Sequence, residues 1–153
     1  MKKSKRLEPV KKIAVEKETE AAIAVKNAQQ EKNSCVEQLE KLKSYRQDYV
    51  AQYKAKGKTG ISAARLNEYQ LFVQKIDKAI KEQVQTVEKA TAKTNSSQQH
   101  LQKSNQRKKV VENLINKKVK QERASADRSE QNTADDRPRS GGSLNDVLMW
   151  RLH

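Results

Sequence analysis

Apolar residues recur at steps of three and four along two long stretches of the chain, one on each side of a short segment near residue 59. This spacing places side chains on one face of an α-helix and is typical of a helix that packs against another helix. Neither Pro nor Gly occurs from Val10 to Lys56 or from Ser62 to Arg123, which favours helices over loops or strands. The pattern predicts an all-α protein in which two long helices form an antiparallel coiled-coil hairpin.

The segment between the stretches has the composition of a bend. Gly57 is able to adopt the positive φ that ends many helices, Gly60 adds a second flexible point, and Ser62 is a suitable N-cap for the next helix. Pro9 suits the first turn of a helix, where its missing N–H has no intrahelical partner. We therefore expect a basic leader at residues 1–8, a helical hairpin at 9–128 with its bend at about 56–62, and a flexible tail at 129–153.

A bend near residue 59 also predicts a register, in which position i of the first helix lies opposite position 118 − i of the second. Cys35 then faces Gln83, and large apolar residues meet near the bend and near the termini. In the middle, the facing residues are all small: Ala21, Ala24 and Ala28 meet Ala90, Thr94 and Ser97. Small residues bury little apolar area, so stability should be concentrated towards the two ends.

The composition agrees with a thin helical protein, since 34% of residues are hydrophobic, 34% are charged and only 4% are aromatic. The formal net charge of +14 predicts acidic partners, which include proteins, nucleic acids and anionic membrane surfaces. No segment approaches the roughly 20 apolar residues that span a bilayer, and the charged start is unlike a secretory signal. We expect a protein that is cytosolic, or attached to a membrane only through another component.

Catalytic, cofactor and metal sites are not indicated. The pattern Gly57-Lys58-Thr59-Gly60 lacks the upstream glycine and the strand of a phosphate-binding loop. His100 and His153 have no companion ligand at helical spacing, and Cys35 is the only cysteine, so no intramolecular disulfide is possible. Two paired helices also offer no deep pocket for a general acid and base, so we expect no enzymatic activity and no cofactor.

A series of ordered segments resembles the flagellar export protein family FliJ. They lie at Ser4 to Val10, Leu39 to Tyr49, Gly60 to Ser62, Leu66 to Val73, Ile76 to Ile80, Val111 to Ile115 and Asp127 to Gln131. Together they extend over residues 4 to about 136. A related stalk protein of virulence-type secretion systems has the most similar layout outside this family.

The resemblance implies a non-enzymatic component of the bacterial flagellar type III protein export apparatus. Family members are coiled-coil stalks whose terminal end enters the ring of the export ATPase FliI, which works with its regulator FliH, and promotes ring assembly. The bend end reaches the membrane export gate protein FlhA, and general chaperone roles towards export substrates or their chaperones are also described. The resemblance thus implies a protein that is monomeric in isolation, has no specific nucleic-acid partner, and is cytoplasmic with peripheral association at the inner membrane.

Two binding surfaces follow from this resemblance. The residues that match the gate-binding surface are Gln38, Leu42, Tyr45, Tyr49, Phe72, Ile76, Ala79 and Gln83. The alternative is that Leu42, Tyr45, Phe72 and Ile76 form the core of the hairpin. They are free to bind a partner if the helices instead pack through another seam, which consists of Leu39, Arg46, Tyr53, Tyr69, Val73, Ile80 and Val84. Candidates for ATPase-ring binding are Lys5, Arg6, Lys11, Lys12, Arg107, Lys108, Lys109, Lys117, Lys118 and Arg123, for which the alternative is a solvated run of charges.

Two other functional classes remain open from the sequence. A nucleic-acid-binding helical hairpin would suit the net charge. However, the tyrosines are expected near the bend and the densest basic residues near the termini. Aromatic rings for base stacking are thus separated from the basic cluster, which argues against nucleic-acid binding. A homo-oligomeric coiled-coil scaffold would need a continuous heptad pattern without the internal bend. The tail residues Leu144, Val147, Leu148 and Trp150 suit either a short docking helix or an unconstrained terminus.

Overall fold

The computed structural model describes residues 2–152 of the chain, with side chains described for residues 2–133. Helix α1 spans Lys3–Gly57 and helix α2 spans Ala63–Leu152. The two helices pack side by side in an antiparallel hairpin, which confirms the predicted fold class. Most of the predicted tail lies outside the residues whose side chains are described, and this part includes Leu144, Val147, Leu148 and Trp150. Within the described part, neither helix contains a stretch long and apolar enough to cross a membrane.

The hairpin divides into two compact units, each containing part of both helices. The terminal unit comprises Met1–Glu16 and Gln106–His153, and the bend unit comprises Lys17–Asn105.

The least exposed residues of α1 follow a regular seven-residue repeat. Apart from Val50, they occur at alternating steps of three and four, the spacing of the a and d positions of a coiled coil. The a positions are Ser4, Lys11, Glu18, Val25, Lys32, Leu39, Arg46 and Tyr53, and the d positions are Leu7, Ala14, Ala21, Ala28, Cys35, Leu42 and Tyr49.

Helix α2 has the same repeat, although six residues beside it are also partly buried: Phe72, Ala79, Val84, Thr91, Glu112 and Val119. Its a positions are Val73, Ile80, Val87, Thr94, Leu101, Lys108, Ile115 and Glu122, and its d positions are Tyr69, Ile76, Gln83, Ala90, Ser97, Ser104, Val111 and Lys118. We call these positions of both helices the seam. Polar and charged residues occupy many seam positions. The burial pattern therefore follows the position of a residue in the heptad more closely than its hydrophobicity.

The middle of the bend unit is the place where small residues lie deepest. Ala28 is only 2% exposed, and Ala21, Ala90 and Thr94 are also buried. The Thr94 hydroxyl donates to the carbonyl of Ala90 at 2.8 Å and to that of Ala28 on the other helix at 3.2 Å. Ala24, in contrast, is exposed, because it lies one position before a seam residue and points to the side of the pair. The predicted close approach is therefore made without Ala24.

The register of the bend unit differs from the predicted one by about one helical turn. Ala28 lies against Thr94 and Tyr53 against Tyr69, so position i faces position 122 − i. The displacement arises because the bend is centred on residues 60–61 and not on residue 59. Gln83 still reaches Cys35, as predicted, because its long side chain spans one turn and donates to the Cys35 carbonyl at 2.9 Å.

The bend itself occupies residues 58–62. The backbone N–H and the hydroxyl of Thr59 both donate to the Lys56 carbonyl, at 3.1 and 2.7 Å, which satisfies one of the last acceptors of α1. Ser62 caps α2 as predicted, since its hydroxyl oxygen accepts from the Arg65 N–H at 3.3 Å. The positive φ lies at Gly60, with a value of 94°, and the expectation that Gly57 would adopt it was wrong because Gly57 completes the last turn of α1.

In the terminal unit, α1 begins at Lys3, six residues before the predicted start at Pro9. The Glu122 carboxylate of α2 accepts from the backbone N–H of Ser4 at 3.1 Å and from its hydroxyl at 2.7 Å. An N–H in the first turn of a helix has no intrahelical acceptor, and the positive end of the helix dipole favours a carboxylate there. Glu122 thus caps α1 from the neighbouring helix, and this contact holds together the turn that precedes Pro9.

The same contact lowers the pKa of Glu122 below its ordinary value of 4.5. The hydrogen bond from the Ser4 hydroxyl has the largest effect, followed by the Ser4 backbone N–H, while the positive charges of Lys2 and Lys118 act in the same direction. A carboxylate whose pKa is lower in the folded state stabilises that state above its unfolded pKa. The contribution is therefore present above about pH 4.5 and is lost as the pH falls through the folded value.

We predict that Glu122 titrates below pH 4.5 in the intact protein, and that Ser4→Ala shifts the titration upwards because it removes the hydroxyl donor. The carboxyl carbon chemical shift of Glu122, followed by NMR as a function of pH in both proteins, measures this effect. Titration of Glu122 at the same pH with and without the Ser4 hydroxyl would show that the cap does not form in solution.

Candidate binding surfaces

The bend unit contains an aromatic ladder made of Tyr45, Tyr49, Tyr53, Tyr69 and Phe72, which are all the tyrosines and the only phenylalanine of the chain. The rings come alternately from α1 and α2. Centroid separations are 5.8 Å for Tyr45 and Phe72, 4.0 Å for Phe72 and Tyr49, 5.7 Å for Tyr49 and Tyr69, and 3.7 Å for Tyr69 and Tyr53. Interlocked rings of this kind stabilise the pairing beyond the area that they bury.

Polar contacts reinforce the ladder on one side. Arg46, an a position of α1, forms an ion pair with Asp77 of α2 through its Nε and through its Nη2 at 3.4 Å. The hydrogen bond and the charge of Asp77 raise the pKa of Arg46. Both side chains are well exposed, so this pair contributes more to orientation than to stability.

The eight predicted gate-binding residues lie in the bend unit, but they divide between two positions of the heptad. Leu42, Tyr49, Ile76 and Gln83 are d positions in the seam, whereas Gln38, Tyr45, Phe72 and Ala79 are g positions beside it. Ile76 is only 6% exposed, whereas Tyr45 is 56% exposed and Gln38 is also exposed. The amide of Gln83 already donates to the Cys35 carbonyl.

The predicted gate-binding set and the alternative seam do not exclude each other, because the observed seam contains residues of both. Along α1 it runs through Leu39, Leu42, Arg46 and Tyr49, two from each set. The predicted set follows steps of four, three and four along each helix. In every heptad these steps select one seam position and one position beside the seam. The g positions of α1 and α2 lie on the same side of the pair, as the contacts of Tyr45 with Phe72 and of Glu31 with Lys93 demonstrate. On this side Gln38 and Tyr45 are exposed, whereas Phe72 and Ala79 are partly buried.

The ten predicted ring-binding residues all lie in the terminal unit. Lys11, Lys108 and Lys118 are partly buried seam residues, and the other seven are exposed: Lys5, Arg6, Lys12, Arg107, Lys109, Lys117 and Arg123. Residues 1–12 and 107–123 contain thirteen Lys or Arg but only three Glu, and one of these is the Glu122 that caps α1. The terminal unit therefore presents a strongly positive surface suited to acidic partners.

A shallow cavity of about 340 Å³ lies beside the bend, lined by the ladder tyrosines Tyr49, Tyr53 and Tyr69 together with Ile61 and Arg65. Sequence reasoning missed it, because Tyr53 and Tyr69 were assigned to an alternative seam and the bend was treated only as a turn. Within the described part of the chain, no group of three or more His, Cys, Asp or Glu side chains is arranged to hold a metal ion.

A family model described as flagellar FliJ protein matches residues 2–139, which is most of the chain. No curated protein and no solved structure matches the chain.

The burial of the candidate residues generates a prediction that separates surface from core. Tyr45→Ala should lower the free energy of unfolding by only about 1 kcal/mol, because the side chain is 56% exposed and mainly its contact with Phe72 is lost. Ile76→Ala should lower it by roughly 2–4 kcal/mol, since it removes a buried aliphatic side chain from the seam. Urea denaturation followed by circular dichroism measures both. Equal losses for the two variants would contradict the assignment of Tyr45 to the surface.

Proposed function

The chain is a member of the FliJ family of flagellar proteins, and we propose that it acts within the flagellar protein export apparatus as a stalk between the export ATPase and the export gate. In this proposal the terminal unit docks in the ring of the ATPase FliI, which is regulated by FliH, and promotes ring assembly. The bend unit engages the gate protein FlhA. The observation that carries the proposal is that the two predicted binding sets fall in different units of the hairpin.

Docking of the terminal unit in a ring is supported by its charge and by its construction. Thirteen basic side chains against three acidic ones would be attracted to an acidic ring interior. The cap that Glu122 places on α1 keeps the first turn of that helix attached to α2, so the basic residues near residue 5 are held beside those near residue 120. A preordered surface of this kind loses less conformational entropy on binding.

Gate engagement by the bend unit is supported by the exposed side of the aromatic ladder. Tyr45 is 56% exposed and its ring packs edge-to-face with that of Phe72, so the two rings form an ordered apolar feature. Aromatic residues with few rotatable bonds are common anchors of protein interfaces. Gln38 and Ala79 flank this feature at g positions on the same side. The same side would also suit the chaperone role of the family towards export substrates or their chaperones.

Nucleic-acid binding is the alternative function, and the arrangement favours it less. Proteins that bind single strands combine basic side chains with aromatic stacking platforms in one groove. Here all five Tyr and Phe side chains belong to the bend unit, whereas the densest basic cluster belongs to the terminal unit. We therefore expect only salt-sensitive, nonspecific association with nucleic acids.

The first test is the ATPase rate and hexamer fraction of the cognate export ATPase, titrated with this protein at physiological salt. Both should rise and saturate. Reversal of two exposed charges in the terminal unit, Arg107→Glu with Lys109→Glu, should reduce the response severalfold because it removes attraction to the ring. Lys75→Glu with Lys78→Glu is the matched control, since it changes the net charge equally in the bend unit.

An unchanged ATPase rate and hexamer fraction with the wild-type protein would refute the stalk role. Equal losses in the two charge-reversed proteins would instead attribute the response to net charge alone.

Gate engagement has a separate test. Tyr45→Ala should weaken binding of the chain to the purified cytoplasmic part of the gate protein by roughly tenfold, because an exposed aromatic anchor is lost while the fold is retained. Leu71→Ala is the control, since Leu71 is similarly exposed in the same unit but lies two positions before a seam residue. Isothermal titration calorimetry measures both affinities. Unchanged affinity of the Tyr45 variant would remove this side of the ladder from the gate contact.

A further inference from the structure

The terminal unit exposes four large aliphatic side chains that the hairpin does not use. Val10 and Ile13 of α1 and Val110 and Leu114 of α2 are between 40 and 65% exposed. Exposed aliphatic residues are ordinary when they are scattered singly, but a contiguous group indicates an interaction site. Whether these four are scattered or contiguous depends on their heptad positions.

The four residues lie on one side of the helix pair. Val10 and Leu114 are g positions, each directly before a seam residue, and Ile13 and Val110 are c positions, three residues from Val10 and four from Leu114. In an antiparallel pair the g positions of the two helices are on the same side, which in the bend unit is observed for Glu31 and Lys93. By the same rule, the heptad positions within the terminal unit place both aliphatic pairs on one side of that unit.

Basic residues frame these aliphatic residues. Four basic residues occupy g and c positions of the same segments: Lys3, Arg6, Arg107 and Lys117, all exposed. We call these eight residues the basic–apolar face. It includes no Asp or Glu. The opposite side of the unit differs, because its e positions include Glu8 and Glu112 and its exposed aliphatic residue is Val15.

We infer that the basic–apolar face is the part of the terminal unit that contacts the ATPase ring, and that its partner is a protein surface with aliphatic residues at the centre and Asp or Glu around them. This inference rests on the proposed docking of the terminal unit. Charge complementarity selects an acidic partner, and the four aliphatic side chains require an apolar centre within it. Of the ten basic candidates, only Arg6, Arg107 and Lys117 belong to this face.

The contact is therefore one-sided and only partly electrostatic. Exposed charges steer association but are screened by salt, whereas aliphatic contact is not. A purely charged terminal unit would lose its affinity as salt is raised, and every exposed Lys or Arg would contribute alike. The basic–apolar face predicts a salt-resistant component of affinity that depends on Ile13 and Val110.

The test compares two pairs of truncations in the full-length chain. Ile13→Ala with Val110→Ala removes two exposed aliphatic side chains from the face, one on each helix. Ile23→Ala with Leu71→Ala removes two similarly exposed side chains, again one on each helix, from the bend unit. Alanine preserves helix propensity, so both proteins should fold, which circular dichroism verifies. Affinity for the purified cognate export ATPase is measured at physiological salt concentration and again at a severalfold higher salt concentration.

The variant with Ile13→Ala and Val110→Ala should bind at least about fivefold more weakly than wild type at both salt concentrations. The control variant should bind with an affinity within about twofold of the wild-type value. A second comparison uses charge-neutral replacements that retain helix propensity. Arg6→Gln with Lys117→Gln should weaken binding more than Lys12→Gln with Lys109→Gln, although each pair removes two charges, because Lys12 and Lys109 lie outside the face.

The outcomes separate this inference from the proposed function. Failure of the wild-type chain to bind the ATPase would refute the docking itself. Normal binding by wild type, with equal affinity for the two truncation variants, would overturn the face and leave the docking intact. Vesicles containing phosphatidylglycerol serve as a further probe. If the face variant loses binding to vesicles but not to the ATPase, the face recognises an anionic lipid surface and the assigned partner is wrong.

Discussion

Two paired helices bury only a narrow seam, and every other feature of this protein depends on that constraint. The seam repeats every seven residues along both helices, at alternating steps of three and four. No described large side chain is fully buried, and the deepest residues, such as Ala28 and Thr94, are small. Because so little apolar area is removed from water, the pairing relies on geometry: close contact of small residues in one segment and interlocked rings in another.

Several polar residues in the seam have a defined partner on the other helix. Thr94 donates to the Ala28 carbonyl, Gln83 to the Cys35 carbonyl, and Arg46 pairs with Asp77 beside the seam. Such contacts are satisfied in only one register, whereas aliphatic contacts tolerate displacement by a turn. These contacts therefore specify the alignment of the helices more than they contribute to stability. Glu122 has a related role in the terminal unit, where it joins α2 to the first turn of α1.

A narrow seam also leaves most side chains available for binding. Among the described residues, two differentiated surfaces result, one in each unit. In the bend unit the exposed edge of the aromatic ladder is an apolar surface, and in the terminal unit aliphatic and basic residues share one side. Both surfaces use g positions, which are adjacent to the seam and therefore held rigidly without being buried. This placement suits side chains that contact another protein.

The sequence by itself determined the helices, the bend and the antiparallel pairing, because steps of three and four, the absence of Pro and Gly, and a Ser62 cap are all local signals. Ordered family segments also identified the family. Only the tertiary structure decided the register, the division of Leu42 and Tyr45 between seam and surface, the exposure of Ala24, and the cap that Glu122 provides to Ser4. The reason is physical: local spacing fixes which residues share a helix face, but a displacement of one turn or a rotation of one position preserves that spacing. Contacts between residues as distant in sequence as Ser4 and Glu122 are needed to select among those arrangements.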